Sequence, residues 1–286
     1  LRYNIRSVIE RWPVALLAIF GIGLVVAVFG VLMAMSQGFA AALRGTGRAD
    51  NVMIVSRGSN SEVTSRVVID DRNAILQHLP EVRAKDGTRL VSWEGVSVMA
   101  LPRKSDGRRS NVVLRGVTPQ AFLVRTGIQL TAGRRFTPGL DEAIVGRRIM
   151  DTVRGLEVGG ILRYRRKELR IVGAFESAGA AFESEIWVDL EMLRAFRRGT
   201  GSNSVVVRVA DEAQIAELDR WMRVQPNMSL KAVSERQYYE DQAGPVANTI
   251  KVLGGLVAVV MGIGAVFAAM NTMYRVVASR TREIGT

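Results

Sequence analysis

The sequence has no cysteine and only one histidine. Without cysteine there is no disulfide and no thiolate metal site. A hydrolase triad or a histidine-based zinc centre would rest on His78 alone. His78 falls in a short amphipathic helix expected over 70–79, where a solvated or capping role accounts for it. The chain contains no G-x-x-x-x-G-K-[ST], so it does not hydrolyse ATP through a P-loop. Charge is missing from two long stretches: residues 14–35 (VALLAIFGIGLVVAVFGVLMAM) and residues 252–274 (VLGGLVAVVMGIGAVFAAMNTMY) hold no acidic or basic side chain.

Each run reaches roughly 33 Å as a helix, enough to cross a hydrocarbon core of ~30 Å. The first is longer than the apolar part of a signal peptide, and QGFAAAL continues its helical pattern past it. A pair of buried helices in a soluble core would need over twenty positions without a polar side chain, twice. Two membrane spans are the better reading. The chain as a whole is 48% hydrophobic yet 23% charged, with a net charge of +12. That mixture fits a water-soluble domain joined to spans. Arg2, Arg6 and Arg11 precede the first run, and Arg275, Arg280 and Arg282 follow the second. Positive flanks stay in the cytoplasm, so both termini are expected inside and the residues between the spans outside. The expected organisation is a cytoplasmic segment 1–13, a span 14–36, an extracytoplasmic domain 37–249, a span 250–274 and a cytoplasmic segment 275–286.

Small residues recur at helical spacing in both spans: Gly254, Ala258 and Gly262, then Gly23 with Ala27 and Gly30 with Ala34. Such spacing lets helix backbones approach closely in lipid. These are the candidate helix-packing residues, within the chain or against a second protomer. With no charge in either span, an ion or proton path through these two helices is not expected.

The outer segment reads as α/β, in two parts with mixed sheets. A stalk continues the first span to Leu43, and Gly45-Thr46-Gly47 breaks it. NVMIVS, RLVSWEGVSVMAL and SNVVLRGV read as strands, and TPQAFLVRT as a short helix. DEAIVGRRIMDTVR runs from strand to helix. GGILRYRRKELRIVGAF reads as a hairpin about Arg166, Lys167 and Glu168. SEIWVDLEMLRAF and SVVVRVADEAQIAELDRWMRV each run from strand to helix, and a last strand and helix lead into the second span. βαβ patterns near both ends frame a middle block, residues 85–195, expected to project from the membrane.

Chemistry is sparse. The acid pairs Asp70/Asp71, Asp141/Glu142 and Glu183/Glu185 are explained by helix starts and turns rather than by acid–base catalysis. The basic run Arg163, Tyr164, Arg165, Arg166 and Lys167 reads as a solvated turn outside the membrane, as do Arg134-Arg135 and Arg147-Arg148; no nucleic-acid partner is expected.

The last residues carry the most specific signal. N-T-M-x-x-x-V-x-x-R-T-R-E-I-G, formed by Asn271, Thr272, Met273, Val277, Arg280, Thr281, Arg282, Glu283, Ile284 and Gly285, resembles the cytoplasmic end of the second helix in the FtsX/MacB-like family of ABC-transporter permeases. Ser279 stands where many members carry glutamate. GRRF at 133–136, EAIVGRRI at 142–149, Val172-Gly173 and EIWVD are similar to the extracytoplasmic domain of the same family. The resemblance implies a non-catalytic permease subunit in the bacterial inner membrane. It implies two further spans after Thr286 and a dimer of permeases with two ABC ATPase subunits, which would bind the ATP and magnesium; no cofactor is implied in this chain. A periplasmic adaptor or substrate protein is a further implied partner. Arg280, Thr281, Arg282, Glu283, Ile284 and Gly285 become the candidate ATPase-coupling residues. The implied function is export or extraction of a lipoprotein, lipid, drug or peptide. A two-span sensor, a mechanical transmitter that transports nothing, and a membrane-tethered enzyme are the alternatives. The terminal motif favours the permease over the sensor, and the lack of a catalytic cluster disfavours the enzyme.

Overall fold

The computed structural model describes residues 12–68, 70–79, 86–196 and 201–284; the side chains of 12–18, 39, 42, 44, 272, 275, 276 and 278–284 are not described. Arg2, Arg6, Arg11 and Gly285 therefore lie outside the described residues. The elements in chain order are α1 (Trp12–Arg44), β1 (Asn51–Ser56), α2 (Asp71–His78), β2 (Val91–Pro102), β3 (Arg109–Val117), α3 (Ala121–Val124), β4 (Gln129–Gly133), β5 (Glu142–Gly146), α4 (Arg147–Thr152), β6 (Ile161–Tyr164), β7 (Lys167–Glu176), a 3-10 turn (Ala181–Ser184), β8 (Glu185–Asp189), α5 (Leu190–Phe196), β9 (Ser204–Arg208), α6 (Ala213–Val224), β10 (Leu230–Ser234) and α7 (Glu235–Ile284). They form two compact units: Leu1–Ala40 with Ala243–Thr286, and Ala41–Gln242.

In the helical unit α1 and α7 run antiparallel. Ser36 Oγ donates to the Ala247 carbonyl at 3.1 Å, and seven residues on, Gly254 faces Leu32 and Phe29. Two segments are long and apolar enough to cross a membrane: Ile19–Gly38, with mean hydropathy 2.5, and Glu235–Asn271, with 2.4. Their outward side chains, such as Phe20, Val31, Val259 and Phe267, are exposed in the chain alone, as a lipid-facing surface requires.

The second unit is a mixed α/β domain on one sheet, ordered β10-β1-β9-β2-β3-β8-β5-β7-β4, with β6 also paired to β7. β3 pairs with β8, and β5 with β7, in parallel; the other pairs are antiparallel. The first four strands in this order, β10-β1-β9-β2, are two split βαβ units. β1-α2-β2 straddles β9, and β9-α6-β10 straddles β1. Helices α2 and α6 cover one face: Ile75, Leu79, Leu218 and Met222 pack on Val52, Ile54, Val205, Val207 and Leu230. The two βαβ patterns at the chain's ends thus interlock in space.

Everything between β2 and β9 extends the same sheet. β2 is the joint: its first residues pair with β9, and from Glu94 to Pro102 it pairs with β3. Helices α4 and α5 cover this second half over Val112, Leu114, Ile171, Ile186 and Val188. On the opposite face Trp187, Phe175, Phe182, Phe136 and Tyr239 gather beneath β1 and β8. Two details differ from the sequence reading. QLTAG forms β4, a strand exposed along its whole length, which is not among the strands read from the sequence. The hairpin turns at Arg165-Arg166, with Arg165 at φ +54°, so Lys167 and Glu168 already belong to β7.

The joint needs one close approach. A Cβ on Gly116 of β3 would stand 2.9 Å from Leu193 Cβ and 3.1 Å from Leu190 Cα, so α5 lies on the sheet only because this position is glycine. Overpacking of this kind costs about 1–3 kcal/mol. Gly116→Val is expected to lower the domain's unfolding midpoint, followed by tryptophan fluorescence, by several degrees; an unchanged midpoint would show that α5 can shift freely.

Candidate functional site

Four glutamates and two arginines meet inside the domain, all nearly or wholly buried: Glu62, Glu94, Glu185, Glu235, Arg115 and Arg125. Each comes from a different element. Glu62 follows β1, Glu94 sits in β2, Arg115 in β3, Arg125 just after α3, Glu185 opens β8, and Glu235 is the first residue of α7.

Arg115 uses all five of its N–H donors. Nε donates to Glu185 at 2.7 Å and Nη2 to Glu185 at 2.9 Å. Nη1 and Nη2 grip the two oxygens of Glu62, both at 2.9 Å, and Nη1 also reaches Glu94 at 2.8 Å. Arg125 holds Glu94 through Nε and Nη2, each at 3.0 Å, and donates from Nη1 to Glu235. Glu94 is thereby shared by both guanidiniums. Bidentate, charge-assisted pairs of this kind are the strong ones.

Four carboxylates against two guanidiniums leave an excess of negative charge, and neutral donors cover it. Ser204 Oγ donates to Glu62 at 2.7 Å, and the Trp187 indole to Glu185 at 2.9 Å. Asn51 Nδ2 donates to Glu235 at 2.8 Å and the Arg48 amide to Glu235 at 3.2 Å. Arg208 Nε in turn donates to Asn51 Oδ1 at 2.8 Å. The Phe182 ring lies under both cations, 4.3 Å from Arg125 and 5.5 Å from Arg115.

Burial alone would push the Glu94 carboxyl up, but Arg125 and then Arg115 outweigh it and hold it below the ordinary carboxylate range. Burial likewise opposes charge on Arg115, and Glu185 and Glu62 overcome it, so its pKa lies well above the usual value. Tyr239, on the first turns of α7, is raised by burial and then by Glu62 and stays a neutral phenol. Every charged group here is held by an opposite charge or a neutral donor, which suits a fixed joint better than a catalytic centre. Its place matters most: it ties the first residue of α7 to β1, β2, β3 and β8. The backbone adds a second tie, because a Cβ on Gly47 would stand 2.5 Å from the Glu235 carbonyl oxygen.

The residues singled out from sequence lie elsewhere. Gly254 is buried in the helical unit, with Leu32 side-chain atoms 3.4 and 3.5 Å from a built Cβ. Ala258 and Gly262 are half-buried on the same edge of α7. Gly23, Ala27, Gly30 and Ala34 lie on the exposed side of α1. Arg280, Thr281, Arg282, Glu283 and Ile284 continue α7 as helix. His78 is exposed, bonded to the Ala74 carbonyl and stacked on Trp221 at 3.9 Å. Glu183 is a turn acid as expected, accepting the Ser177 and Gly179 amides, and Glu142 pairs with Arg134. Glu185 is the exception: it belongs to the buried network, not to a turn. The signal that marks Glu94, Arg115 and Glu185 is a charge set in an otherwise apolar strand, as in SWEGV, VVLRGV and EIWVD; Glu62, Arg125 and Glu235 lie outside the strands and carry no such signal.

A family model described as the MacB-like periplasmic core domain matches residues 15–224, the first long helix and most of the α/β domain. The chain belongs to this family. It is thus a MacB-like domain of the ABC-transporter permeases, set between two helices long enough to span a membrane. A comparison with curated proteins finds no match. Among solved structures, the MacB-like domain is similar to the extracellular domain of the noncanonic ABC-type transporter YknZ from Gram-positive bacteria, at 15% identity over 64% of this chain and 100% of that chain, TM-score 0.47. It is also similar to the periplasmic region of MacB from Actinobacillus actinomycetemcomitans, at 16% identity over 73% of this chain and 95% of that chain, TM-score 0.47.

Removing one partner of a buried ion pair costs about 3–5 kcal/mol, against well under 1 for an exposed pair. Arg125→Met is therefore expected to lower the domain's unfolding midpoint sharply. Arg163→Met, which breaks the exposed pair with Glu168, should leave it nearly unchanged. Equal effects of the two in a fluorescence-monitored melt would contradict the ranking.

Proposed function

We propose that this chain forms part of the membrane permease subunit of an FtsX/MacB-type ABC transporter. A separate cytoplasmic ATPase binds and hydrolyses ATP, and the permease turns that cycle into movement of the α/β domain. The movement serves export or extraction of a lipoprotein, lipid, drug or peptide. A second permease protomer completes the assembly, which sits in the bacterial inner membrane with both termini in the cytoplasm. The positive flanks of both spans support that orientation.

One observation carries the mechanical reading. Helix α7 starts at Glu235, inside the buried ion network, and ends at Ile284, within the arginine motif. A push on the segment holding Arg280, Arg282 and Glu283 enters the second span. At the far end of the helix Glu235 delivers it to the strands of the sheet rather than to a loop. The step is a rigid-body switch, and it needs neither a polar pore nor a catalytic group in the domain.

The test is reconstitution of the full-length permease with its ATPase in proteoliposomes. Arg282→Ala and Glu283→Ala should abolish the permease-dependent part of ATP turnover, leave the ATPase's own turnover intact and leave the domain's melting unchanged. Full stimulation by both variants would refute the coupling role.

A further inference from the structure

β7 carries β5 along one side and two short strands along the other. β5 pairs with residues 170–175 of β7, β6 with 167–170 and β4 with 173–176. Arg170 therefore has β5 and β6 on its two sides, and Gly173, Ala174 and Phe175 have β5 and β4. So β4 and β6 follow one another along the same side of β7, both antiparallel to it, and form the last edge of the sheet. Backbone bonds to β7 join them: the Arg134 amide donates to the Val172 carbonyl and the Ile171 amide to the Gly160 carbonyl, each at 2.9 Å. Among the described residues no further strand pairs with the outer side of β4 or β6.

The two edges of the sheet are finished differently. At β10 the Leu230 carbonyl accepts from Arg57 Nη2 at 2.7 Å, and the Ala232 amide donates to Asp219 Oδ1 of α6 at 3.2 Å. Side chains there occupy backbone groups that another strand would use, and Lys231 between them is a usual guard of such an edge. β4 has neither device. It holds no charge and no proline, its five residues are all exposed, and among the described residues no side chain bonds to its backbone. Its one irregularity is the bulge at Thr131. Two apolar side chains mark this edge. Leu130 lies opposite Phe175, on the face that holds Trp187, and is 38% exposed. Leu162 and Tyr164 are buried on the other face, so Ile161 shares the face of Leu130; it is 58% exposed. β5 gives their spacing: Gly146 stands opposite Phe175 and Glu142 opposite Arg170, the partner of Ile161. Four residues of straight strand separate them, roughly 13 Å, and such positions point the same way. Arg170, beside Ile161, is exposed and has no acid partner among the described residues.

We propose that the β4–β6 edge binds an extended segment of a partner polypeptide as an added strand, with apolar side chains against Leu130 and Ile161 and an acidic one between them drawn to Arg170. A row of unpaired amides and carbonyls is matched group for group only by another backbone, as in other cases of strand addition. Strands of five and four residues offer less area than the roughly 1,200 Å² at which stable protein interfaces begin, which selects a short linear segment over a second copy of the domain. Binding of this kind does not depend on the proposed ATP-driven cycle.

The probe is the fluorescein-labelled peptide Thr-Val-Thr-Glu-Thr-Val-Thr, which reads the same in both directions, titrated into the full chain in neutral detergent. Saturable binding is expected, with slowed hydrogen exchange at the amides of 129–133. Leu130→Lys supplies the guard that β4 lacks and should weaken binding roughly tenfold or more. Val224→Lys, at an exposed apolar position closing α6, should leave it unchanged. Of two peptides N-methylated on alternate residues in complementary positions, one should lose binding and the other keep it. No saturable binding, equal loss in the two variants, or full binding by both methylated peptides would overturn the added strand. Equal binding by a peptide with lysine in place of glutamate would overturn the part given to Arg170. Concentration-dependent dimerisation of the chain that Leu130→Lys abolishes and the peptide displaces would overturn the linear segment in favour of a second copy.

Discussion

Arg115 is the group on which the domain's architecture turns. A guanidinium buried in β3 is tolerable only if every donor is satisfied and its charge is answered. Glu62, Glu94 and Glu185 meet both demands, and doing so fixes where three separate segments of chain must lie. Glu94 recruits Arg125, and Arg125 recruits Glu235, the first residue of α7. Each addition solves the problem left by the last: an excess positive charge, then an excess negative one, then residual acceptors taken up by Asn51, Ser204, Trp187 and a backbone amide. A packed apolar core of the same volume would cost less desolvation. What the ionic core adds is register. A carboxylate displaced by one residue would leave a buried charge unmatched, so β2, β3, β8 and the start of α7 are held in one arrangement.

This explains the contrast between the domain's two halves. The split βαβ half, with α2 and α6 over β1, β9 and β10, is held by ordinary apolar packing. The half inserted between β2 and β9 shares its sheet, and the joint along β2 is where Glu94 sits. The ion network thus lies at the boundary of the two halves and at the origin of the long helix. The proposed function asks for stiffness at that junction above all, and an interlocked set of charge-assisted hydrogen bonds supplies it.

Much of the fold was legible in the sequence because it rests on short-range pattern. Both long apolar helices follow from runs without charge, the strands NVMIVS and SVVVR from β-branched density, and the βαβ patterns from strand-to-helix alternation. The arginine motif carried the family. β4 was not legible, since QLTAG is exposed on both faces and its strand state comes from pairing with β7. The buried network was hidden for a different reason. Glu62, Glu94, Arg115, Arg125, Glu185 and Glu235 are spread over more than 170 positions, and only the sheet order brings them together. Each alone reads as a surface charge or a turn acid, Glu185 among them. For Glu94, Arg115 and Glu185 the cue is local but faint, a charge flanked by apolar residues inside a strand; Glu62, Arg125 and Glu235 have none.

Through Glu235 and Arg125 the start of α7 belongs mechanically to the sheet. Hydrogen–deuterium exchange on the full chain, with and without Arg125→Met, tests it most directly. In the parent chain, amides of 236–242 should exchange as slowly as those of β2 and β3. In the variant they should be released together with those strands. Exchange at 236–242 that is fast in the parent, or untouched by the variant while β2 and β3 loosen, would show instead that the helix begins independently of the network.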